Sequence, residues 1–155
     1  MIKLLPINGE NREWYTEFEK VYETGLKEYM SRIYPHCSER FEALTADGLL
    51  LWDYILRDNR PVGSVWLEKG SSEAKTAVLG ILIAEESCRG KHVGEEVVRL
   101  ICRAGADAIG IDSVELNVRP QNTRAIRCYR KCGFEETERF LKPNGVAVVH
   151  MKKKL

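Results

Sequence analysis

The stretch TAVLGILIAEESCRGKHVG, Thr76 to Gly94, runs from an almost unbroken apolar segment into a polar turn and then the start of a helix. Thr76 to Ala84 is apolar at odd and even positions alike, so it predicts a strand covered on both faces, in the middle of a sheet. Beyond Gly90, the residues Val93, Val97, Ile101, Ala104 and Ala108 recur on one helical face, and Gly110 supplies a stop after Ile109. A strand, a tight turn and a helix start in succession can bind phosphate. Backbone N–H groups without helical partners converge there on an anion, the helix dipole lies behind them, and glycine lets the anion come close. Gly90 and Gly94 also suit a plain turn and a close helix contact, so this segment alone leaves both readings open.

C-terminal to this unit, Ser113 to Val118 alternates as a strand, and Pro120 ends it. Asn122 or Thr123 can cap a following helix, whose apolar side is Ala125, Ile126, Tyr129 and Cys132 and whose terminator is Gly133. Phe134 to Phe140 and Val146 to Met151 predict a last hairpin through Lys142-Pro143-Asn144-Gly145, before a basic end, Lys152 to Lys154. N-terminal to the unit, Leu49 to Leu56 and Val62 to Leu67 predict a hairpin through Asp58-Asn59-Arg60-Pro61, and Lys69 to Ser72 forms the next loop. Trp14, Phe18, Val21, Tyr22, Gly25, Leu26, Tyr29 and Met30 recur at three- and four-residue steps, the pattern of an amphipathic helix or a pair broken near Gly25. The order of helix, strands, helix, strand, helix, strands predicts a mixed α/β sheet.

The chain has 155 residues, within the range of one compact domain, so residues 1–155 are expected to form a single unit. With 44% hydrophobic and 30% charged residues the composition is that of a globular protein. No stretch approaches the roughly 18 apolar residues that would span a bilayer. Met1 to Pro6 lacks a secretory pattern, so no membrane association and a cytoplasmic location are expected. A net charge of +1 excludes the globally basic footprint of a nucleic-acid binder. Basic residues nevertheless cluster from Arg89 to Arg103 and from Arg119 to Lys131, as a small phosphate-bearing ligand would require and as solvated helix faces would also show. Cys37, Cys88, Cys102, Cys128 and Cys132 follow no zinc-like or redox spacing and are expected to be reduced thiols. His36, His92 and His150 form no metal-ligand grouping, and no metal is expected.

Arg89-Gly90-Lys91-His92-Val93-Gly94 resembles the Arg/Gln-x-x-Gly-x-Gly/Ala pyrophosphate loop of the GNAT superfamily of N-acetyltransferases, with His92 standing where the first glycine usually lies. NVRPQNTRAIRCYRKCGF, Asn117 to Phe134, resembles that family's closing pattern at Asn122, Ala125, Tyr129, Gly133 and Phe134. Both motifs occur in order, and the likeness covers about Thr76 to Met151. Locally, Arg124 to Phe134 resembles the branch containing aminoglycoside 6′-N-acetyltransferases and ribosomal-protein N-acetyltransferases.

The resemblance implies a mixed, mostly antiparallel sheet splayed between its fourth and fifth strands, flanked by helices, with acetyl-CoA in the gap. It implies main-chain contacts from Leu82 and Ala84 and a pyrophosphate cradle from Arg89, Gly90, Lys91, His92, Val93 and Gly94. Asn122 would meet the pantetheine amide region, and Arg127 or Lys131 the 3′-phosphate. Asn122 can cap its helix at the same time, because its oxygen and nitrogen serve different partners.

Acetyl transfer needs a neutral amine, stabilisation of the developing oxyanion, and a proton or hydrogen bond for the departing sulfur. By resemblance Tyr129 is the general acid, a phenol with an ordinary pKa of about 10 and so protonated at neutral pH. Ribosomal-protein and some aminoglycoside-modifying relatives carry an acidic residue where this chain has Asn117, which weakens direct transfer of their base, and water can relay a proton to a distant carboxylate. Glu85 is the first candidate and Asp53 the second, each also readable as a turn or surface residue.

The acceptor would be chosen by the Trp14 to Tyr34 region and the Leu49 to Leu67 hairpin, where Trp52, Tyr54 and Trp66 line a cleft or fill the core. The expected activity is acetylation of a primary amine on a small molecule. A protein or peptide amine is the alternative, and a non-catalytic acyl-CoA-binding module is a further one. The family resemblance also makes a homodimer a common assembly.

Overall fold

The computed structural model describes residues 1–24, 39–90 and 92–155. Among these, seven strands form one sheet: β1 (Ile2–Pro6), β2 (Leu50–Arg57), β3 (Arg60–Lys69), β4 (Thr76–Ile83), β5 (Ser113–Val118), β6 (Glu135–Leu141) and β7 (Ala147–Lys154). Their order across the sheet is β1-β2-β3-β4-β5-β7-β6. Four α-helices accompany them: α1 (Tyr15–Thr24), α2 (Glu39–Ala46), α3 (Val93–Ala108) and α4 (Thr123–Lys131).

The central apolar run becomes β4, antiparallel to β3 and parallel to β5. The parallel ladder is short: Thr76, Ala77 and Val78 pair with Ser113, Val114 and Glu115, and no further pair follows although both strands continue. The sheet therefore splays open between β4 and β5, and the rest of it is antiparallel.

Strand alternation separates two cores. Trp52, Tyr54, Trp66 and Leu82 pack with Tyr15 and Phe18 of α1 on one face. Ile55, Val65, Leu67, Val114, Leu116 and Met151 pack with Val97, Val98 and Ile101 of α3 and Ile126 and Tyr129 of α4 on the other. Lys69, buried at the end of β3, donates to the carbonyls of Ile109 (2.8 Å) and Ser72 (3.1 Å), so a cation meets the negative end of α3. Gly110 follows at φ 66°, a helix-ending conformation that glycine adopts freely.

Most expected elements appear within one to three residues of their predicted bounds. The β2–β3 connection is tighter than expected, however. Only Asp58 and Asn59 turn, at φ 50° and 64°, and Pro61 lies inside β3 opposite Leu56, where the register shifts. The basic end, Lys152 to Lys154, completes β7. Strand β1 and helix α2 were not anticipated from the sequence. The helical stripe is seen as α1 up to Thr24, while Gly25, Leu26, Tyr29 and Met30 lie outside the described residues.

Gly80 of β4 is required by its neighbour. A Cβ there would lie 2.1 Å from Cε2 and Cζ2 of the Trp66 indole, directly opposite on β3. Gly80→Ala should therefore cost about 1–3 kcal/mol as the indole is forced aside. Thermal unfolding together with tryptophan fluorescence checks this; an unchanged midpoint would show that Trp66 moves freely.

Candidate active site

The splay opens into a cleft of about 1280 Å³. Leu79, Gly80, Ile81 and Ile83 of β4 form one wall, Asn117 and Val118 of β5 the other, and the starts of α3 and α4 close one end. Among the described residues its lining carries six lysine and arginine side chains, Arg89, Arg119, Arg124, Arg127, Lys131 and Lys142, against two carboxylates, Glu86 and Glu95. An anionic ligand is favoured there.

The wall of β4 offers its other set of backbone groups from the one expected. Ala84 N–H donates to Val62 O (2.9 Å), so its backbone faces β3. By the two-residue period Leu82 faces β3 as well, while Ile81 and Ile83 face the gap. Neither Leu82 nor Ala84 lines the cleft, and the Leu82 side chain is buried against α1. The backbone groups of Leu82 and Ala84, expected to meet the cofactor, are thus turned to β3, and those of Ile81 and Ile83 face the gap.

At the turn, Arg89 donates through Nε to Ile83 O (2.9 Å) and through Nη2 to Ala84 O (3.3 Å), folding the chain end of β4 onto the loop. Gly90 stands at φ 73°, and the Arg124 guanidinium lies 3.8 Å from where a side chain of Gly90 would begin. Gly94 brings the first turn of α3 close to α4, its Cβ position 3.4 Å from Cys128 Sγ. Val93, the first residue of α3, is buried in the core, so it can serve a ligand only through its backbone. Lys91 lies outside the described residues.

His92 occupies the usual glycine position in the conformation that glycine would take, φ 61° and ψ 7°. Its Nδ1 is 2.9 Å from Glu95 Oε2, and this bond is the main reason that the Glu95 carboxyl is held below its ordinary range. A left-handed non-glycine residue costs about 1–2 kcal/mol, more than an exposed hydrogen bond returns. His92→Gly should raise stability by about 1 kcal/mol, or about 2–4 °C in melting temperature. A lowered melting temperature would instead assign the histidine a net stabilising role.

Helix α4 begins at Asn122, whose Oδ1 accepts from Ala125 N–H (3.4 Å), as its capping role requires. Arg124, Arg127 and Lys131 follow at steps of three and four and all reach the cleft. Sequence reading missed Arg124. Its place in the same stripe as Arg127 was a signal, but its position over Gly90 depends on how α4 packs against the loop.

Tyr129, also on α4, is 8% exposed, lines the cleft and meets Phe134 edge-on at 5.8 Å. Burial pushes its phenol well above the ordinary range, so it holds its proton at any physiological pH. Cys88, Cys102, Cys128 and Cys132 are free; burial pushes the Cys102 thiol up to about 11 and that of Cys128 to about 12. Cys37 lies outside the described residues.

The base candidates stand apart from this wall. Glu85 pairs with Arg60 (2.9 Å) beside the cleft, whereas its neighbour Glu86 lines it. Asp53 is 5% exposed on β2 and alternates with Trp52 and Tyr54, which places its side chain on the opposite face, beneath α3. Its Oδ1 has no hydrogen-bond partner among the described residues, and burial raises its pKa from 3.8 to about 6. Of the aromatics, Trp52 and Tyr54 fill the core, and Trp66 is core but also lines the cleft. Among the described residues no group of three His, Cys, Asp or Glu side chains could hold a metal, and no helix is long and apolar enough to cross a membrane.

A sheet opened between two parallel strands, with a glycine-bearing, basic loop at the mouth of the gap, is the architecture of acyl-coenzyme A-dependent acyltransferases. The chain belongs to the acetyltransferase (GNAT) family, which matches residues 11–134. Among curated proteins, it is 35% identical over 88 residues to aminoglycoside N(6′)-acetyltransferase type 1 of Klebsiella pneumoniae, a match covering 56% of this chain and 42% of that protein. The match thus spans less than half the length of that relative. A kanamycin resistance protein of Rhizobium radiobacter is 34% identical over 87 residues, covering 53% of this chain and 81% of that protein.

Solved structures agree on the fold. An aminoglycoside acetyltransferase in complex with coenzyme A superposes with a TM-score of 0.78 at 20% identity, over 99% of this chain and 95% of that one. The spermidine N-acetyltransferase of Vibrio cholerae, in complex with CoA and spermine, superposes with 0.80 at 15% identity, over 99% and 95%.

Proposed function

We propose that the protein transfers the acetyl group of acetyl-CoA to a primary amine of a small molecule, by direct attack with both substrates bound. The observation that carries this reading is the β4–β5 splay, with cations at one end and a buried, protonated tyrosine on its wall.

The residues present fit acetyl-CoA. Gly90 and Gly94 leave backbone room at the start of α3 for a pyrophosphate, with Arg124 beside them. Arg127 and Lys131, along the same face of α4, suit a further phosphate. Ile81 and Ile83 supply backbone edges facing the gap, and Asn122 a side-chain amide at its rim. Bound acetyl-CoA supplies an activated thioester carbonyl. Tyr129 would donate its phenolic proton to the sulfur that leaves.

Small-molecule acceptors are supported by two of the relatives above 30% identity, the aminoglycoside acetyltransferase and the kanamycin resistance protein, whereas a shorter match, 36% identical over 56 residues, is to an alpha/beta-tubulin N-acetyltransferase. Calorimetric titration with acetyl-CoA, coupled to a free-thiol assay over simple monoamines, spermidine, kanamycin and peptides with free N-termini, tests the reading. Binding with thiol release driven by a small amine supports it. Release driven only by peptides would assign a protein acceptor, and binding without release a non-catalytic module.

A further inference from the structure

Strand β6 ends the sheet and is exposed along its whole length. Its Phe140 and Leu141 are 39% and 70% exposed, two large apolar side chains on a strand edge. The backbone of β6 is bonded on one side only. Lys142 N–H, just past the strand, donates to Val146 O (2.9 Å), so by the two-residue period Phe140 and Glu138 also turn their backbone groups to β7. The N–H and C=O groups of Arg139 and Leu141 then point away from the sheet, a free edge on which another strand can pair. Side chains divide by the same alternation. Glu138 and Phe140 share the face of His150 and Val148 opposite them, Lys142 continues that row, and Arg139 and Leu141 lie on the other face.

A second copy of β6, antiparallel to the first, can meet this edge in one of three two-fold registers, set by what lies opposite Arg139 and Leu141. Arg139 opposite Arg139 opposes like charges, which destabilises a pair. Leu141 opposite Leu141 brings Arg139 against Pro143, which has no N–H to donate. Arg139 opposite Leu141 is complementary throughout. Each such pair exchanges both of its backbone bonds, Phe140 meets Phe140 on the axis, and Glu138 faces Lys142 on either side of it. Neither Glu138 nor Lys142 has an ion-pair partner among the described residues, whereas Arg139 is held by Glu136 (2.5 Å) and leaves its stem to cover the partner's Leu141. The bulge between Glu136 and Glu138 and the proline at 143 confine the ladder to residues 138–142.

We propose that β6 is the edge through which two copies of this chain associate, antiparallel about a two-fold axis at Phe140, so that their sheets join into one. The partner that fits is a second copy, because the unpaired acid and base on this strand lie at equal distances on either side of Phe140 and answer each other only across that axis. The contact is closed, since each copy uses up its edge in forming it. A ladder this short belongs with the smaller, transient interfaces, so dissociation in roughly the micromolar range is expected. Lys142 also lines the cleft, so the ion pair brings a carboxylate of the partner to the cleft rim. The association does not depend on the chemistry in the cleft, and its failure leaves the acetyltransferase reading standing.

Sedimentation velocity of the protein from about 1 μM to about 500 μM, with amide hydrogen exchange at both ends of that range, tests the pairing. The wild type should pass from monomer to dimer. The amides of Arg139 and Leu141 should gain protection only in the dimer, whereas that of Phe140, already bonded to β7, is protected in both. Glu138→Lys and Lys142→Glu should each weaken dimerisation by about tenfold or more, because like charges then face each other on both sides of the axis. An equimolar mixture of the two variants should dimerise as the wild type does, because each reversed charge then meets its opposite in the other chain. Both substitutions are at the surface of an edge strand, and recovery on mixing shows that both variants are folded. A wild type that stays monomeric at the highest concentration, single variants that dimerise as tightly as the wild type, or a mixture that does not recover overturns the proposal. A dimer in which the amides of Arg139 and Leu141 gain no protection also overturns it, by placing the contact on another surface.

Discussion

Tyr129→Phe should lower turnover by about 10²-fold or more while leaving acetyl-CoA affinity within about twofold. The tyrosine is held in the last turns of α4, buried against Phe134 with its ring at the cleft, and phenylalanine keeps that packing. What is removed is one hydroxyl whose proton burial retains. A neutral hydroxyl contributes little to binding where water can replace it, but it contributes fully where negative charge develops on sulfur. A fall in kcat with unchanged calorimetric affinity is therefore expected. Equal turnover of the two proteins would remove Tyr129 from the mechanism and leave it as a core residue.

Asp53→Asn should stabilise the protein at pH 7.5 by up to about 3 kcal/mol, the equivalent of a shift from 3.8 to about 6. Asp53 is buried beneath α3 with an oxygen that nothing described satisfies, and burial alone raises its pKa. The sign follows from the direction of the shift. Below about pH 4 the carboxyl is protonated in both folded and unfolded chains and costs nothing extra. As pH rises from about 4 to about 6 the unfolded chain ionises first, so stability falls, and the full penalty is present above about 6. Asparagine removes the charge but must still bury an amide, so the gain has an upper bound rather than a fixed value. Urea unfolding of both proteins at pH 4.5 and 7.5 checks this. Wild-type stability that is flat across this range would show that the carboxylate finds solvent.

The same residue shows what kind of information each level holds. In sequence, Asp53 is one acid in a run of strand formers and reads as a candidate base. The alternation that buries Trp52 and Tyr54 against α1 sends Asp53 beneath α3, and β2 lies two strands from the splay, so Asp53 does not line the cleft. How far a strand lies from the splay is a property of the assembled sheet and not of the strand. Glu115 and His150 were likewise unremarkable in sequence, 35 residues apart, and meet only because β7 inserts between β5 and β6.

Local signals were sufficient wherever several of them coincide. The apolar run of β4, the helical stripe and Gly110 stop of α3, and the Asn122 cap and Gly133 stop of α4 each combine a period with a boundary residue. Those elements were legible, and with them the family, because its two motifs are contiguous in the chain. Strand β1 is five residues and half exposed, and α2 is eight residues with a weak apolar stripe, so neither carries enough repeats for a period to be read. They are held by pairing with β2 and by the sheet face that they cover.

Chain order and side-chain chemistry therefore settled the succession of elements, the strand–turn–helix unit around Gly90 and the family. Pairing between distant strands settled the rest: how far β4 and β5 stay joined, and that Ile81 and Ile83 rather than Leu82 and Ala84 face the gap. The same packing decided that Arg124 lies over Gly90. A strand's alternation has two phases of equal local merit, and only the hydrogen bond from Ala84 to Val62 selects between them.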